Sequence, residues 1–290
     1  DKKDLKAERS TIMIKTFFKK ISKSLFYLKY NFKRQLRIFF RIDQIIYIDD
    51  KKIILPPGHL LSLYESVYPK YDKFLPTVIG KIKENDVIID IGANIGDTLF
   101  RLLNINTKPY YYCIEADNLF FEYLQKNKKS LDINIQNKII LIKTLVGDQL
   151  KGNLSETTTG TKSLIESDLG IQSKKLDDII IEYKIKNIKL IKVDVDGFDY
   201  NILFSAINEL KINKPDIFFE YMPLDELGKK NYLRLIEKLN EIGYSNWTML
   251  DNYGSVIFEN KGYIDVINKT KSALIKKNIF DIYCKFEKWI

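Results

Sequence analysis

The stretch VIIDIGANIGDTLF, Val87 to Phe100, decides how the rest of the chain reads. Val87–Asp90 is an apolar, β-branched run with no charge until its last residue, the pattern of a strand buried on both faces. Gly92 and Gly96 follow, with Asn94 between them, and then apolar residues at helical spacing. In an open α/β sheet ligands collect where a strand passes into a helix in this way, outside the carboxyl ends of the strands. Glycine there lets the backbone come close to a ligand with no Cβ in the way. Taken alone the turn is weak evidence, because ordinary strand-to-helix turns use the same residues.

Outward from this turn the pattern alternates. Strands are expected at 86–91, 110–115, 139–145, 188–195, 216–221, 245–250 and 278–286, and helices at 95–104, 117–129, 175–184, 198–210, 223–242 and 263–277. Strand and helix taking turns predicts a mainly parallel sheet with helices on both faces, and seven strands suit a doubly wound, Rossmann-like arrangement. Upstream, QIIYIDDKKIILPP (44–57) reads as a small hairpin, and 60–82 as a helix broken near Pro69 and Pro76. Residues 13–42 read as an amphipathic helix, and 1–12 as a polar leader ahead of a natural start at Met13. Three regions follow: a basic helical extension (1–43), a hairpin with a helical lead-in (44–82) and the α/β domain (83–290).

With 290 residues, 45% of them hydrophobic, the chain can bury a sizeable core. Two cysteines, Cys113 and Cys284, are too few for a disulfide framework or a thiolate metal cluster. Both lie in strand-like runs and are expected as free thiols of a cytoplasmic protein. The formal net charge of +9 is concentrated at one end. Met13 to Arg41 holds nine Lys or Arg and no Asp or Glu, while the remainder from Asp43 onward is close to neutral. No nucleic-acid partner is therefore expected from charge.

The ligand can be narrowed from the residues around the turn. YYYCIE (110–115) ends in Glu115, an acidic group at the tip of the second strand that can take both hydroxyls of a ribose. A dinucleotide fingerprint would put glycine where Asp90 stands and would add a third glycine. Asp90 would repel a pyrophosphate, which disfavours a nicotinamide-dependent oxidoreductase. A cationic nucleoside suits the carboxylates better, and S-adenosylmethionine (SAM), an adenosine joined to a sulfonium and an amino acid, is one.

VIIDIGANIGDTLF, CIEADNLFFEYLQKN, KKLDDII, LIKVDVDGFDYNIL and IFFEYMP, in this order and spacing, resemble the FkbM family of SAM-dependent methyltransferases over roughly residues 80–222. The resemblance implies a seven-stranded methyltransferase sheet with an antiparallel last strand. It implies O-methylation of a hydroxyl on a sugar or natural product, as in surface-glycan synthesis. It places SAM on Asp90, Gly92, Asn94, Gly96 and Glu115, with Asp148 at the adenine. Asp196 and Asp199 stand where the family usually carries Glu.

A sugar hydroxyl is a poor nucleophile, so methyl transfer to it is helped by a base. Asp194, Asp196 and Glu220, at strand ends, are the catalytic candidates. If Asp194 and Asp196 lie on a strand they share a side, where two carboxylates can raise one pKa. They could also hold a divalent cation, which is not expected. Lys192 is read as a partner for Glu220, and the single histidine, His59, as a surface or hinge residue. The polar loop ETTTGTKSL (156–164) and the turn LDNYGS (250–255) are candidates for covering the ligand or lining the acceptor pocket. The N-terminal helix interleaves Lys and Arg with Phe and Leu, which suits either an anionic membrane surface at the inner face or packing on the body or a second subunit. A non-catalytic SAM-binding scaffold is the reading from another class.

Overall fold

The computed structural model describes residues 24–79, 81–105, 107–156, 162–166, 170–275 and 278–286. A helix α1 (24–40) leads into an antiparallel hairpin, β1 (Gln44–Ile48) and β2 (Lys51–Leu55). Two short helices follow, α2 (Leu61–Val67) and α3 (Leu75–Val78). The alternating part begins with β3 (Val87–Ile91), α4 (Asp97–Leu102), β4 (Tyr110–Glu115), α5 (Asn118–Lys129), α6 (Ile133–Gln136) and β5 (Ile139–Lys143). A small antiparallel sheet interrupts it: β6 (Lys151–Glu156), β7 (Lys162–Glu166) and β8 (Ile171–Gln172). It resumes with α7 (Leu176–Glu182), β9 (Ile188–Val193), α8 (Asp199–Phe204), α9 (Ile207–Asn213), β10 (Asp216–Tyr221) and α10 (Glu226–Glu241). The chain closes through β11 (Tyr244–Asp251), β12 (Val256–Lys261), α11 (Tyr263–Lys271) and β13 (Phe280–Phe286).

The main sheet runs β12-β11-β13-β10-β9-β3-β4-β5. From β5 to β10 its neighbours are parallel, and β13 lies antiparallel between β10 and β11. This is the expected doubly wound sheet with an antiparallel last strand, plus an eighth strand at its edge. That strand, VIFENK, is mostly exposed, so no buried face marks it in the sequence. Two expected helices are split. The expected helix 60–82 becomes α2 and α3: α2 ends just before Pro69, and Pro76 stands in the first turn of α3, where its missing N–H has no partner to lose. Residues 198–210 become α8 and α9, separated at Ser205, whose hydroxyl is shared between Leu176 N–H and Ile202 C=O. Of the N-terminal helix expected over 13–42, residues 13–23 lie outside the described residues. So do residues 157–161 of the polar loop, whose flanks pair as β6 and β7.

All five residues of β3 are buried, because helices cover both faces of the sheet. Alternate residues point to opposite faces. Val87, Ile89 and Ile91 join the core beneath α7, α8, α10 and α11, while Ile88 joins the core shared with α4, α5 and the hairpin. The hairpin is welded to this second core by Ile53 and Leu55, both wholly buried. Asn127 of α5, also wholly buried, accepts from Ile54 N–H (2.8 Å) and donates to Ile54 C=O (3.0 Å) and Ile95 C=O (2.9 Å). Every polar atom of its amide is thereby used, as burial demands.

Strand parity also sets up the site. On the hairpin side of the sheet, Ile88, Leu190, Phe218 and Tyr283 are apolar. Two residues along each strand on that side stand Asp90, Lys192, Glu220 and Asp281, so the face turns from apolar to charged at one end of the sheet.

Candidate active site

The glycine turn is held by its own backbone. Gly92 N–H and Ala93 N–H both donate to Ile114 C=O (3.0 Å each). Gly92 sits at φ 75°, and a Cβ on it would fall 1.9 Å from the Asp194 carbonyl oxygen, so no other residue fits. Asn94 is left-handed too, at φ 49°. Its N–H donates to Glu115 Oε2 (2.8 Å), and Asp117 N–H donates to Glu115 Oε1 (2.7 Å). Glu115 is buried at the tip of β4, and burial pushes its pKa up to about 7 against the pull of those two N–H groups.

A cleft of about 370 Å³ opens beside the turn, at the carboxyl ends of the parallel strands. Ile114 and Phe120 follow the line of β4 and α5, and Val146, Leu150, Leu154 and Leu164 come from the region of β5 to β7; together they make apolar wall. Carboxylates supply much of the rest: Asp72, Asp97, Asp194, Asp196, Glu220 and Asp281. Lys192 lies among them, 3.2 Å from Asp90 Oδ1 and 3.3 Å from Asp194 Oδ2. Asp90 and Lys192 are register partners on β3 and β9, which fixes the pair. Burial pulls the Lys192 pKa down, but Asp90, Asp194, Asp97 and Asp72 outweigh it and hold the ammonium well above the usual lysine range. Burial raises Asp97 to about 6 and Asp281 to about 8, the latter helped by Asp194.

Glu220 is 8% exposed, and its Oε2 has no hydrogen-bond partner among the described residues. Its carboxyl is pushed well above the usual range by burial first, then by Asp194, Asp199, Asp196 and Asp281. Asp281 is its register partner on β13. Asp199, wholly buried, positions this strand tip: Oδ1 accepts from Glu220 N–H (3.2 Å) and Oδ2 from the Tyr232 hydroxyl (3.3 Å).

Residues 90–245, more than half of the chain, match the model of the methyltransferase FkbM domain. The chain belongs to the FkbM family of SAM-dependent methyltransferases. Among solved structures it is similar to a methyltransferase FkbM from Methylobacillus flagellatus KT, with 16% identity and a TM-score of 0.43 over 77% of this chain and 50% of that one. It is similar to the METTL16 MTase domain (14%, TM-score 0.42, 74% of this chain and 66% of that one). It is also similar to M. jannaschii TYW2 in complex with AdoMet (14%, TM-score 0.43, 86% and 87%). The chain spans half the length of the first of these. No curated protein matches it at a significant level.

In this FkbM-family chain the cleft brings together most of the residues expected from the sequence. Gly92, Asn94, Glu115, Asp194, Asp196 and Glu220 line one cleft. Gly96 caps α4 from φ 96°, and Asp90 sits behind the lining, against Lys192. Asp148 is not part of the lining; its carboxylate is 3.2 Å from Lys175 Nζ, although its neighbours Thr144, Leu145 and Val146 do face the cleft. Three readings change. Lys192 pairs with Asp90 and Asp194, not with Glu220. β9 ends at Val193, and Asp196 is left-handed at φ 52°, so strand parity does not relate Asp194 to Asp196. His59, expected as a surface or hinge residue, is half-buried and lines the cleft: its Nδ1 accepts from Leu61 N–H (3.2 Å), its Nε2 lies 3.4 Å from Asn94 Oδ1, and burial lowers its pKa to about 4.

Tyr64, Tyr71, Asp72, Asp97 and Asp281 also line the cleft and were not singled out as site residues. Asp97 lies within the Val87–Phe100 segment itself; the others come from the lead-in and from β13. The turn 250–255 contributes Asn252 to the lining, while Tyr253 stacks on Tyr68 (4.0 Å between centroids). The residues fit SAM. Glu115 and the Asn94 amide suit a ribose, the apolar walls suit a base, and the carboxylates suit a sulfonium and an ammonium. No group of three or more His, Cys, Asp or Glu among the described residues is arranged to hold a metal ion.

Proposed function

We propose that the cleft methylates a hydroxyl of a sugar, in a surface glycan or a natural product, with SAM as donor. The observation that carries this reading is Glu220: a buried carboxyl lining the cleft, one oxygen without a hydrogen-bond partner among the described residues, raised well above its usual range. A base with a raised pKa is matched to taking a proton from a hydroxyl near neutral pH. Asp196 and Asp194 crowd the same end and keep that pKa up. Methyl transfer is an in-line displacement, so holding the acceptor oxygen opposite the sulfur is the larger part of the work. Tyr64 and Tyr71, stacked at 5.1 Å, offer flat apolar surface with hydroxyl edges, which suits the mixed faces of a sugar ring.

The test is release of S-adenosylhomocysteine with a panel of sugars, and with amine and carboxylate acceptors beside them. Glu220→Gln is expected to lower kcat by roughly 10²–10⁴-fold with little change in SAM affinity. Full activity of Glu220→Gln removes the base assignment. Turnover confined to amines or carboxylates removes the hydroxyl reading. SAM binding without turnover on any acceptor favours the scaffold.

A further inference from the structure

Helix α1 has two sides of unlike chemistry. Tyr27, Tyr30, Arg34 and Arg37 are half-buried and face the body. The Tyr30 hydroxyl is 3.1 Å from Ser62 Oγ, Arg34 Nε donates to Gly58 C=O (2.6 Å) and Arg37 Nη1 donates to Gln44 Oε1 (2.8 Å). On the other side, at three- and four-residue steps, stand Leu25, Leu28, Phe32, Leu36 and Phe39, each between 41% and 79% exposed. Lys29 and Lys33 border this stripe and are exposed as well. Five large apolar side chains aligned and turned away from the core are not the scattered surface residues of an ordinary monomer.

Charge chooses the occupant. The segment Met13–Arg41 carries nine cationic and no acidic side chains, and of the nine Arg34 and Arg37 face the body. A second copy would bring two such segments together, whereas an anionic leaflet neutralises one. Apolar residues on one side and cations beside them are the composition of a helix lying in a lipid interface. No helix among the described residues is long and apolar enough to cross a membrane.

We propose that α1 seats the protein on an anionic membrane surface, with the Leu25–Phe39 stripe in the lipid interface, and that this holds the cleft close to that surface. The second half follows from connectivity. α1 is hydrogen-bonded to Gly58 and Ser62, and between these lie His59, Leu60 and Leu61, which line the cleft. The docking does not depend on which acceptor the cleft takes.

The experiment is co-sedimentation of the full chain with vesicles of phosphatidylcholine alone and of phosphatidylcholine with phosphatidylglycerol. The chain is expected to bind the anionic vesicles, and less so as salt rises. Leu28→Asp with Phe32→Asp is expected to weaken that binding at least roughly a hundredfold, and Lys29→Glu with Lys33→Glu at least about tenfold. These side chains are exposed, so unchanged circular dichroism and SAM affinity confirm that the variants fold. No binding of the parent chain to anionic vesicles overturns the proposal, as does binding that the stripe variant leaves intact. A dimer that the stripe variant dissolves, with no vesicle binding, assigns the stripe to a second copy and overturns it too.

Discussion

The two halves of the cleft are built on opposite terms. On the β3–β4 side both oxygens of Glu115 accept backbone N–H groups, and the turn amides are tied to Ile114. On the β9–β10–β13 side the carboxylates outnumber their cations. Lys192 serves Asp90 and Asp194, while Glu220 keeps a buried oxygen unpartnered among the described residues, with Asp281 as its register partner. The first half is complete in itself and presents a fixed shape. The second is electrostatically strained, and strain of this kind gathers where chemistry is done. On the proposed function, position comes from one half and reactivity from the other.

The largest effect should come from Lys192→Met, which leaves Asp90 and Asp194 without their shared cation. Removing one partner of a buried pair costs about 3–5 kcal/mol, read as a fall in unfolding free energy in urea. A loss under about 1 kcal/mol would mean the strained half does not depend on Lys192.

Next comes Glu115→Gln. A hydrogen bond to a charged group contributes about 1.5–3 kcal/mol, so SAM affinity should fall by roughly ten- to a hundredfold at pH 8 by calorimetry. The pH dependence carries the sign. Burial pushes the Glu115 pKa up to about 7, and in the proposed SAM complex ribose hydroxyls would donate to its ionised form, so affinity should rise from pH 6 to pH 8. The variant should flatten that rise. An equal slope in both proteins would place the titration elsewhere in the cleft.

The smallest effect runs the other way. Burial raises Asp281 to about 8, so folding raises this pKa and ionisation works against the folded state. The wild-type protein should lose stability through this group as pH climbs from about 4 to about 8. Asp281→Asn removes that loss and should stabilise the protein by at least about 1 kcal/mol at pH 9, with little gain at pH 4. Destabilisation at pH 9 would show that the crowding at this end is illusory.

The same division governs what the sequence made legible. β3, its glycine turn and Glu115 are near one another in the chain, and each carries a local mark: a buried β-branched run, small residues, an acid at a strand tip. The parallel strands are apolar on both faces and could be placed. β12 is an exposed edge strand and leaves no such mark. Asp281 reaches Glu220 only because β13 inserts antiparallel between β10 and β11, a register that no local pattern encodes. Tyr64, Tyr71, Asp72 and His59 reach the cleft from the lead-in because α2 and the loops around it fold over the strand ends. Lys192 was visible as a charge in an apolar strand. Its partner was not, because β9 neighbours both β3 and β10, and only the register sets Lys192 opposite Asp90 on one side and Phe218, not Glu220, on the other.

The amide of Asn127 binds Ile54 of the hairpin and Ile95 of the glycine turn at once, from a third element. A fluctuation that freed Ile54 would strip a buried amide of partners that also steady the turn. Hairpin and turn therefore belong to one cooperative opening unit. A ligand that quiets the turn will slow hydrogen exchange at the Ile54 amide, some forty residues away and outside the cleft.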